Sequence, residues 1–280
     1  MRRGRTMSVL TIISLLCLGA FGGFMAGLLG VGGGMVLVPF LTLIFGASLM
    51  SPDLAVHSAI ATSMGMILFT SLSSMRAHHR QGAVLWSVVF TLAPGIVLGG
   101  LLSGGAIFAY LHGAALSLFF ALFVGYSGFK MLRNKKPKPS RQLPGMLGRT
   151  AAGTGIGFIS GLVGAGGGFL SVPFMVWCNV PLRNAVATSA ALGFPIALSN
   201  SVGYILSGIR EVGVHDGMLG YVYWPALVLL VIMSVLMAPI GARQAHSLPV
   251  DKLRKVFAGL LFALAAYMLF KALQQFGVFG

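Results

Sequence analysis

Ten apolar runs separated by short polar loops constrain this chain more than any other feature. Most of the runs approach the roughly 20 residues that a helix needs to cross the hydrocarbon core of a bilayer. The 280 residues are 57% hydrophobic and 8% charged, whereas a water-soluble globular domain carries about 25% charged residues. We therefore predict an all-α, polytopic membrane protein. The runs cover residues 7–29, 35–50, 55–75, 83–107, 111–132, 150–163, 169–180, 184–209, 218–242 and 253–276.

The chain repeats itself after its midpoint. The segment "GLLGVGGGMVLVPF" at 27–40 returns as "GLVGAGGGFLSVPF" at 161–174, and "IATS" at 60–63 returns as "VATS" at 186–189. A basic, proline-containing segment lies between the copies, and such composition is typical of a linker outside the membrane. We predict a first membrane repeat at 1–132, a basic cytoplasmic linker at 133–149 and a second membrane repeat at 150–280. Five crossings per half would make the two halves inverted, as in many secondary transporters.

The formal net charge of +15 is explained by topology. Lys and Arg lie in short loops, with no basic face interleaved with aromatic residues, so a nucleic-acid partner is not expected. If all ten runs cross and the linker is cytoplasmic, 14 of the 19 Lys and Arg residues lie inside, as the positive-inside rule favours. The basic N-terminus runs against this assignment. We interpret the first run as a permanent helix and not as a signal peptide, since an internal segment matches it.

The consecutive glycine triplets Gly32–Gly34 and Gly166–Gly168 predict broken helices at the middle of the membrane. In hydrocarbon, backbone is interrupted only where it is buried in protein or lines a polar cavity. A helix that begins after each triplet directs free N–H groups and the positive end of its dipole into the gap, which favours an anion. The glycines spaced by four, at 19, 23 and 27 and at 153, 157 and 161, are interpreted as sites of close helix packing.

The substrate-binding residues predicted from this reasoning are two glycine triplets, the hydroxyls of the repeated "ATS" and one polar residue in mid-span. Packing between helices is the commoner role for any single hydroxyl in a membrane, but the repeated pair is a better candidate. The prolines Pro39 and Pro173, which follow the triplets, are predicted to be structural. The predicted substrate-binding residues are Gly32, Gly33, Gly34, Gly166, Gly167, Gly168, Thr62, Ser63, Thr188, Ser189 and Asn200.

Other polar residues offer no catalytic or metal chemistry. The adjacent histidines His78 and His79 have no Cys, Asp or Glu nearby, so they form a poor ligand set and are assigned to a basic loop at 76–82. His57 and Arg183 are expected to anchor at the membrane interface, next to the predicted helix N-caps Ser58 and Asn184. The four acidic residues are all expected in loops. We therefore expect no metal, no cofactor and no catalytic residue.

The repeated glycine segments and the two "ATS" segments resemble those of the sulfite exporter family TauE/SafE. The members of this family are membrane permeases for sulfur-containing anions. The doubled glycine motif carries most of the resemblance, and "GYILSGI", "GYVYWPAL" and "APIGARQAH" follow in order later in the chain. The resemblance extends over nearly the whole chain and matches both triplets, Pro39 and Pro173 directly. It implies movement of sulfite, sulfonates or related oxyanions across the bacterial cytoplasmic membrane.

The function expected from sequence is therefore a multi-pass secondary transporter of a sulfur-containing anion that works by alternating access. Its expected partners are this small anion and the lipid bilayer, and a homodimer is left open. Two alternatives remain at this point: a passive anion channel built on the same glycine breaks, and a non-enzymatic accessory subunit of a membrane complex.

Overall fold

The computed structural model describes residues 7–29, 33–133, 142–215, 217–244 and 250–277. Each half of the chain contributes five principal helices within these residues. In the first half they are α1 (Val9–Leu29), α2 (Gly34–Ser48), α3 (Pro52–Arg80), α4 (Trp86–Leu102) and α5 (Gly113–Arg133). Helix α4 continues through a π-helical turn, Ser103–Ile107, into a last turn, Phe108–Tyr110.

The second half has the same order of long and short helices. They are α6 (Met146–Val163), α7 (Gly168–Trp177), α8 (Leu182–Glu211), α9 (Trp224–Gln244) and α10 (Val250–Gln275). Helix α6 begins inside the segment predicted as a linker, of which residues 134–141 lie outside the described part of the chain. Before α9, three two-residue strands form an antiparallel sheet: β1 (Val214–His215), β2 (Met218–Leu219) and β3 (Val222–Tyr223).

Seven of the described helices are long and apolar enough to cross a bilayer, and α2 and α7 are shorter apolar helices. Large apolar side chains are exposed along the long helices, as Phe90, Leu122 and Leu236 illustrate. A surface of this kind is stable against lipid and not against water. The chain is a multi-pass integral membrane protein.

Each half packs its first helix against the fourth helix of the other half: α1 against α9, and α6 against α4. Glycines allow the backbones to touch. A Cβ atom on Gly19 would lie 2.6 Å from the carbonyl oxygen of Leu230, and one on Gly23 would collide with the backbone of Ser234. Gly153 and Gly157 meet the backbone of α4 in the same way. The prediction that the four-spaced glycines serve close helix packing is confirmed.

The third helices of the two halves, α3 and α8, pack against each other at the centre, while α5 and α10 pair at the side. The first turn of α8 lies beside the end of α3, since the Asn184 side-chain amide donates to the Ala83 carbonyl over 3.0 Å. At the opposite end, the ring of His57 in α3 stacks on Tyr221, whose N–H donates to the Tyr204 carbonyl of α8 over 3.4 Å. The two central helices are therefore antiparallel.

Several helix boundaries differ from the sequence expectation. Helix α3 begins at Pro52 after Ser51, and α8 begins after Pro181, so Ser58 and Asn184 lie inside helices and are not N-caps. Pro52 is the first residue of α3, where the fixed backbone angle of proline fits a helix and no N–H partner is needed, whereas Pro181 directly precedes α8 as its N-cap. Asp53 consequently lies in the first turn of α3. Glu211 is the last residue of α8 and Asp251 is the second residue of α10, although all three were expected in loops; Asp216 lies outside the described residues.

The expected basic loop at 76–82 is largely helical. Helix α3 continues to Arg80, and His78 is only 1% exposed, with its Nε2 3.2 Å from the Gly27 carbonyl oxygen. The run at 218–242 also differs, because residues 218–223 form β2, a turn and β3 and not helix. Gly217 and Gly220 take positive φ angles of 80° and 60° on either side of β2, and such turns interrupt a helix.

Candidate functional site

Both glycine triplets interrupt helices. Gly33 and Gly167 are the N-caps of α2 and α7, with left-handed φ angles of 70° and 75° that glycine adopts without a steric penalty. No side chain caps either helix start. Gly34 and Gly168 are the first helical residues, and Gly32 lies outside the described residues. The first N–H groups of both helices therefore point out of buried helix ends without a side-chain acceptor.

The start of α2 meets the end of α6, so the first break touches the second. Gly34 is in contact with the Gly164 carbonyl oxygen, and a Cβ atom on Gly34 would collide with it. The same carbonyl accepts a hydrogen bond of 3.1 Å from the Ser63 hydroxyl of α3. These residues are all buried. The two halves thus join through their interrupted helices.

A small cavity lies beside the second break, between the antiparallel helices α3 and α8. Its free volume of about 10 Å³ has room for about one water molecule. The Ser74 hydroxyl on its wall is buried and has no hydrogen-bond partner within the described part of the chain. The wall carries hydroxyls and backbone but no charged side chain. It consists of Ala26, Ile67, Ser71, Ser74, Gly166, Ser189, Ala190 and Gly193.

The threonines of the two "ATS" segments make matching hydrogen bonds. The Thr188 hydroxyl accepts a hydrogen bond of 3.0 Å from the backbone N–H of Leu85, the N-cap residue of α4. The Thr62 hydroxyl accepts from the N–H of Tyr223, directly before α9, over 3.1 Å. Each threonine therefore holds the start of the fourth helix of the other half.

The two serines of these segments differ in their surroundings. Ser63 donates to Gly164 at the contact between the breaks, whereas Ser189 lies on the cavity wall. Ser189 accepts a hydrogen bond of 2.8 Å from Ser171 of α7. One hydroxyl of the cavity wall is therefore hydrogen-bonded to α7, the helix after the second break.

Asn200 lies away from the cavity wall, and its side chain is engaged by three helices. Its amide donates to the Ile196 carbonyl over 2.8 Å and approaches the Gly157 carbonyl of α6 at 3.5 Å. Its oxygen accepts from Ser103 over 2.9 Å. Polar groups paired in this way hold membrane helices together.

Pro39 and Pro173 occupy the same position in α2 and α7, five residues after the first helical glycine. A proline inside a helix removes one backbone N–H donor and leaves the carbonyl four residues earlier without its helical partner. That carbonyl belongs to Met35 in α2 and to Phe169 in α7. Both short helices are thus weakened in their first turn, next to the break.

Of the residues predicted from sequence, the structure brings Gly166 and Ser189 to the cavity, with Gly34 and Ser63 at the adjoining contact between the breaks. Thr62, Thr188 and Asn200 are engaged elsewhere, as described above.

Sequence reasoning missed Ser71, Ser74 and Ser160. Ser71 and Ser74 follow Ser63 at intervals that keep one face of α3, so helical periodicity could have found them. Ser160 is buried beside the second break, and its hydroxyl lacks a partner among the described residues. Its signal is weak, since a serine between packing glycines is typical of any membrane helix.

His57 was expected to anchor at the membrane interface, and this expectation is wrong. The side chain is 3% exposed, with Nδ1 3.0 Å from the Asp53 carbonyl oxygen and Nε2 2.9 Å from that of Leu111. Through these two hydrogen bonds, His57 connects α3 to the segment between α4 and α5.

The His57 ring also stacks on the ring of Tyr221. Burial raises the pKa of the Tyr221 hydroxyl, and the carboxylates of Glu211 and Asp53 raise it further.

Within the described residues, no group of three or more His, Cys, Asp or Glu side chains is placed to hold a metal ion. The polar groups at the cavity are hydroxyls and backbone amides. This set can hydrogen-bond an oxyanion and offers no nucleophile paired with a base.

A family model described as sulfite exporter TauE/SafE matches residues 15–268. A "probable membrane transporter protein" of Haemophilus influenzae is 34% identical over 260 residues, covering 92% of this chain and 98% of the relative. The "probable membrane transporter protein YunE" of Bacillus subtilis is 28% identical over 221 residues, covering 71% of this chain and 80% of the relative. The "probable membrane transporter protein MJ0441" of Methanocaldococcus jannaschii is 24% identical over 256 residues, covering 91% of this chain and 94% of the relative. No solved structure matches this chain.

Proposed function

Because this chain belongs to the sulfite exporter TauE/SafE family of membrane transporters, we propose that it is a secondary transporter of a sulfur-containing anion such as sulfite or an organosulfonate. The observation that carries this proposal is the buried Ser74 hydroxyl, which has no hydrogen-bond partner among the described residues and lies in a cavity beside the uncapped start of α7. A buried polar group without a partner is costly and calls for an explanation, and a bound polar solute supplies one. The proposed location is the cytoplasmic membrane of a bacterium, as two of the relatives above are bacterial.

The chemistry of the cavity favours an anion. The start of α7 offers backbone N–H groups and the positive end of a helix dipole, worth up to ~2 kcal/mol to a nearby anion. The Ser74 hydroxyl has no partner among the described residues and can donate to an anion, and the hydroxyls of Ser71 and Ser189 lie on the same wall, where Ser71 donates to the Leu68 carbonyl over 3.1 Å. Each hydrogen bond to a charged oxygen contributes ~1.5 to 3 kcal/mol. After the cost of desolvation, binding of about 4 to 8 kcal/mol is within reach, which corresponds to millimolar to micromolar affinity. Such affinity suits a carrier that must also release its substrate.

Alternating access between inverted halves is the proposed mechanism. The cavity is too small for a sulfur oxyanion, so α3 and α8 must separate before one can bind. The equivalent central helices run antiparallel, and each "ATS" threonine holds the fourth helix of the opposite half. These relations support two inverted repeats that can rock about their common contact. The broken helices would then provide the groups that bind substrate near the middle of the membrane.

The test is transport by the purified protein in proteoliposomes. Sulfite, sulfate, thiosulfate and an organosulfonate are compared with a carboxylate of similar size, and we expect saturable movement of at least one sulfur anion. Counterflow of labelled substrate against an unlabelled gradient separates a carrier from the alternative, a passive channel. Failure to move any of the sulfur anions would contradict the proposal and favour an accessory role.

A serine substitution localises the site. Ser74→Ala removes the unpartnered hydroxyl and should raise the KM at least tenfold, because one charge-assisted hydrogen bond of ~1.5 kcal/mol or more is lost. Ser117→Ala is the matched control, since Ser117 in α5 is also buried and unpartnered within the described chain but does not line the cavity. An equal change in KM for both variants would remove the cavity from consideration.

A further inference from the structure

A second concave feature lies on the outer surface, between α3 and α9. This groove has a volume of about 510 Å³. One of its ends carries the guanidinium groups of three arginines, and the other is apolar. We define the arginine groove by its lining residues: Phe69, Leu72, Ser73, Arg76, Ala77, Arg80, Gln81, Val235, Pro239 and Arg243.

The floor of the arginine groove is held by side-chain hydrogen bonds between its two helices. Ser73 donates to the Val235 carbonyl over 2.9 Å. One turn away, Thr70 donates to Ser234 over 2.8 Å. These bonds fix the crossing of α3 and α9, so the groove belongs to the fold and does not depend on a chance arrangement of side chains.

The groove is polarised along its length. From Phe69 to Arg80, α3 rises about 16 Å, which takes the groove from an apolar zone to the charged end of the helix. Phe69 is 44% exposed there. None of the lining residues is acidic, so no carboxylate of the groove neutralises Arg76, Arg80 or Arg243.

The charged end of the groove shares a face of the molecule with other basic residues. Arg183, at the start of α8, donates to the Gln81 carbonyl over 3.4 Å. Arg149 donates to Pro144 over 2.7 Å and approaches Thr91 near the start of α4. A face rich in Lys and Arg is the cytoplasmic one by the positive-inside rule. The leaflet on that side is the one that holds anionic lipids, which attract basic groups between helices.

We propose that the arginine groove binds one anionic phospholipid. The phosphate lies between Arg76, Arg80 and Arg243, and an acyl chain runs along Phe69, Leu72 and Val235. A free oxyanion would satisfy the arginines but leave the apolar end of the groove uncovered, which is why a lipid fits better. This inference concerns a surface separate from the transport cavity and does not depend on the transported substrate.

Native mass spectrometry of the full chain in detergent tests the proposal. The protein is titrated with phosphatidylglycerol and, separately, with zwitterionic phosphatidylcholine, and we expect tighter binding of the anionic lipid. Arg76→Gln with Arg243→Gln should weaken phosphatidylglycerol binding by about 25-fold, since each arginine near a lipid surface contributes about fivefold. Lys130→Gln with Arg133→Gln is the control, because it removes the same charge from the last turn of α5, outside the groove.

Ala77→Trp is the second variant, and it keeps all three arginines while filling the groove with a large side chain. Ala77→Trp should therefore prevent phosphatidylglycerol from binding. If the arginine double variant fails to fold, lipid binding by Ala77→Trp is sufficient to test the proposal. Unchanged lipid binding by Ala77→Trp, or equal loss in the α5 control, would overturn the proposal in favour of general surface attraction. Inorganic phosphate that displaces the lipid at equal concentration would overturn it in favour of a free-anion site.

Discussion

The two glycine breaks share a sequence pattern but are surrounded differently. Gly33 and Gly167 have nearly the same left-handed backbone, and both precede a helix with proline at the same position. A side chain at Gly33 would collide with the backbone of Gly22, whereas one at Gly167 would meet the side chains of Ile196, Ser160 and Ile156. The second break also supplies Gly166 to the cavity. Among the described residues of the two motifs, Gly33 and Gly34 thus meet backbone in the first half, whereas Gly166 lines a polar cavity in the second.

The largest effect is expected from alanine at the two caps. Both substitutions place a Cβ in left-handed backbone, at a cost of about 1 to 3 kcal/mol. Gly33→Ala also meets fixed backbone, so we expect a total loss of more than about 3 kcal/mol and little folded protein. Gly167→Ala should fold, because the side chains around it can shift. Thermal unfolding in detergent measures the difference, and equal destabilisation would remove the distinction between the breaks.

The sequence predicts much of this arrangement, because the reasons are local. The ten apolar runs correspond to the ten principal helices. The glycine triplets predict the two helix interruptions, because backbone within a membrane can leave a helix only where it is buried in protein or lines a polar cavity. The roles of Thr62 and Thr188 could not be predicted, since their partners, Tyr223 and Leu85, are distant in the chain and are set by tertiary packing. His57 was misassigned for the same reason, because its carbonyl partner at Leu111 lies in another helix connection.

The next effect compares Ser63 with Ser189, the equivalent serines of the two repeats. Ser189→Ala removes a hydroxyl from the cavity wall and the acceptor of the Ser171 hydroxyl, so we expect the KM for the proposed anion to rise about tenfold and stability to fall by about 1 kcal/mol. Ser63→Ala removes the bond to Gly164 at the contact between the breaks and should lower stability by about 1 kcal/mol with little change in KM. Paired transport and unfolding measurements separate the two outcomes. A KM that rises as much in Ser63→Ala would show that the contact between the breaks takes part in substrate binding as well as the cavity wall.

A smaller effect, equal in both halves, is expected for the paired threonines. Thr62→Val and Thr188→Val keep the side-chain shape but remove the acceptor for the N–H of Tyr223 or Leu85. Loss of a helix-start hydrogen bond costs about 1 kcal/mol, so each variant should be destabilised by that amount. Chemical or thermal unfolding of the two single variants checks this. Unequal losses would mean that the halves differ in this contact as well as in their breaks.

The smallest effect on stability is expected for buried hydroxyls that have no hydrogen-bond partner among the described residues. Ser58 and Ser160 are both buried, and neither hydroxyl is hydrogen-bonded within the described residues. Alanine at either position removes an unsatisfied group, so stability should change by no more than about 0.5 kcal/mol or rise slightly.

Transport should distinguish these two serines. Ser160 lies 3.1 Å from where a Cβ on Gly167 would stand, so its hydroxyl is available to a solute at the second break once α3 and α8 separate. Ser58 is near the start of α3, away from the cavity wall. We therefore expect Ser160→Ala to weaken transport severalfold and Ser58→Ala to leave it unchanged, measured as KM in proteoliposomes. If neither variant changes KM, the Ser160 hydroxyl takes no part in binding, and the proposed anion contacts at the second break are reduced to Gly166 and the start of α7.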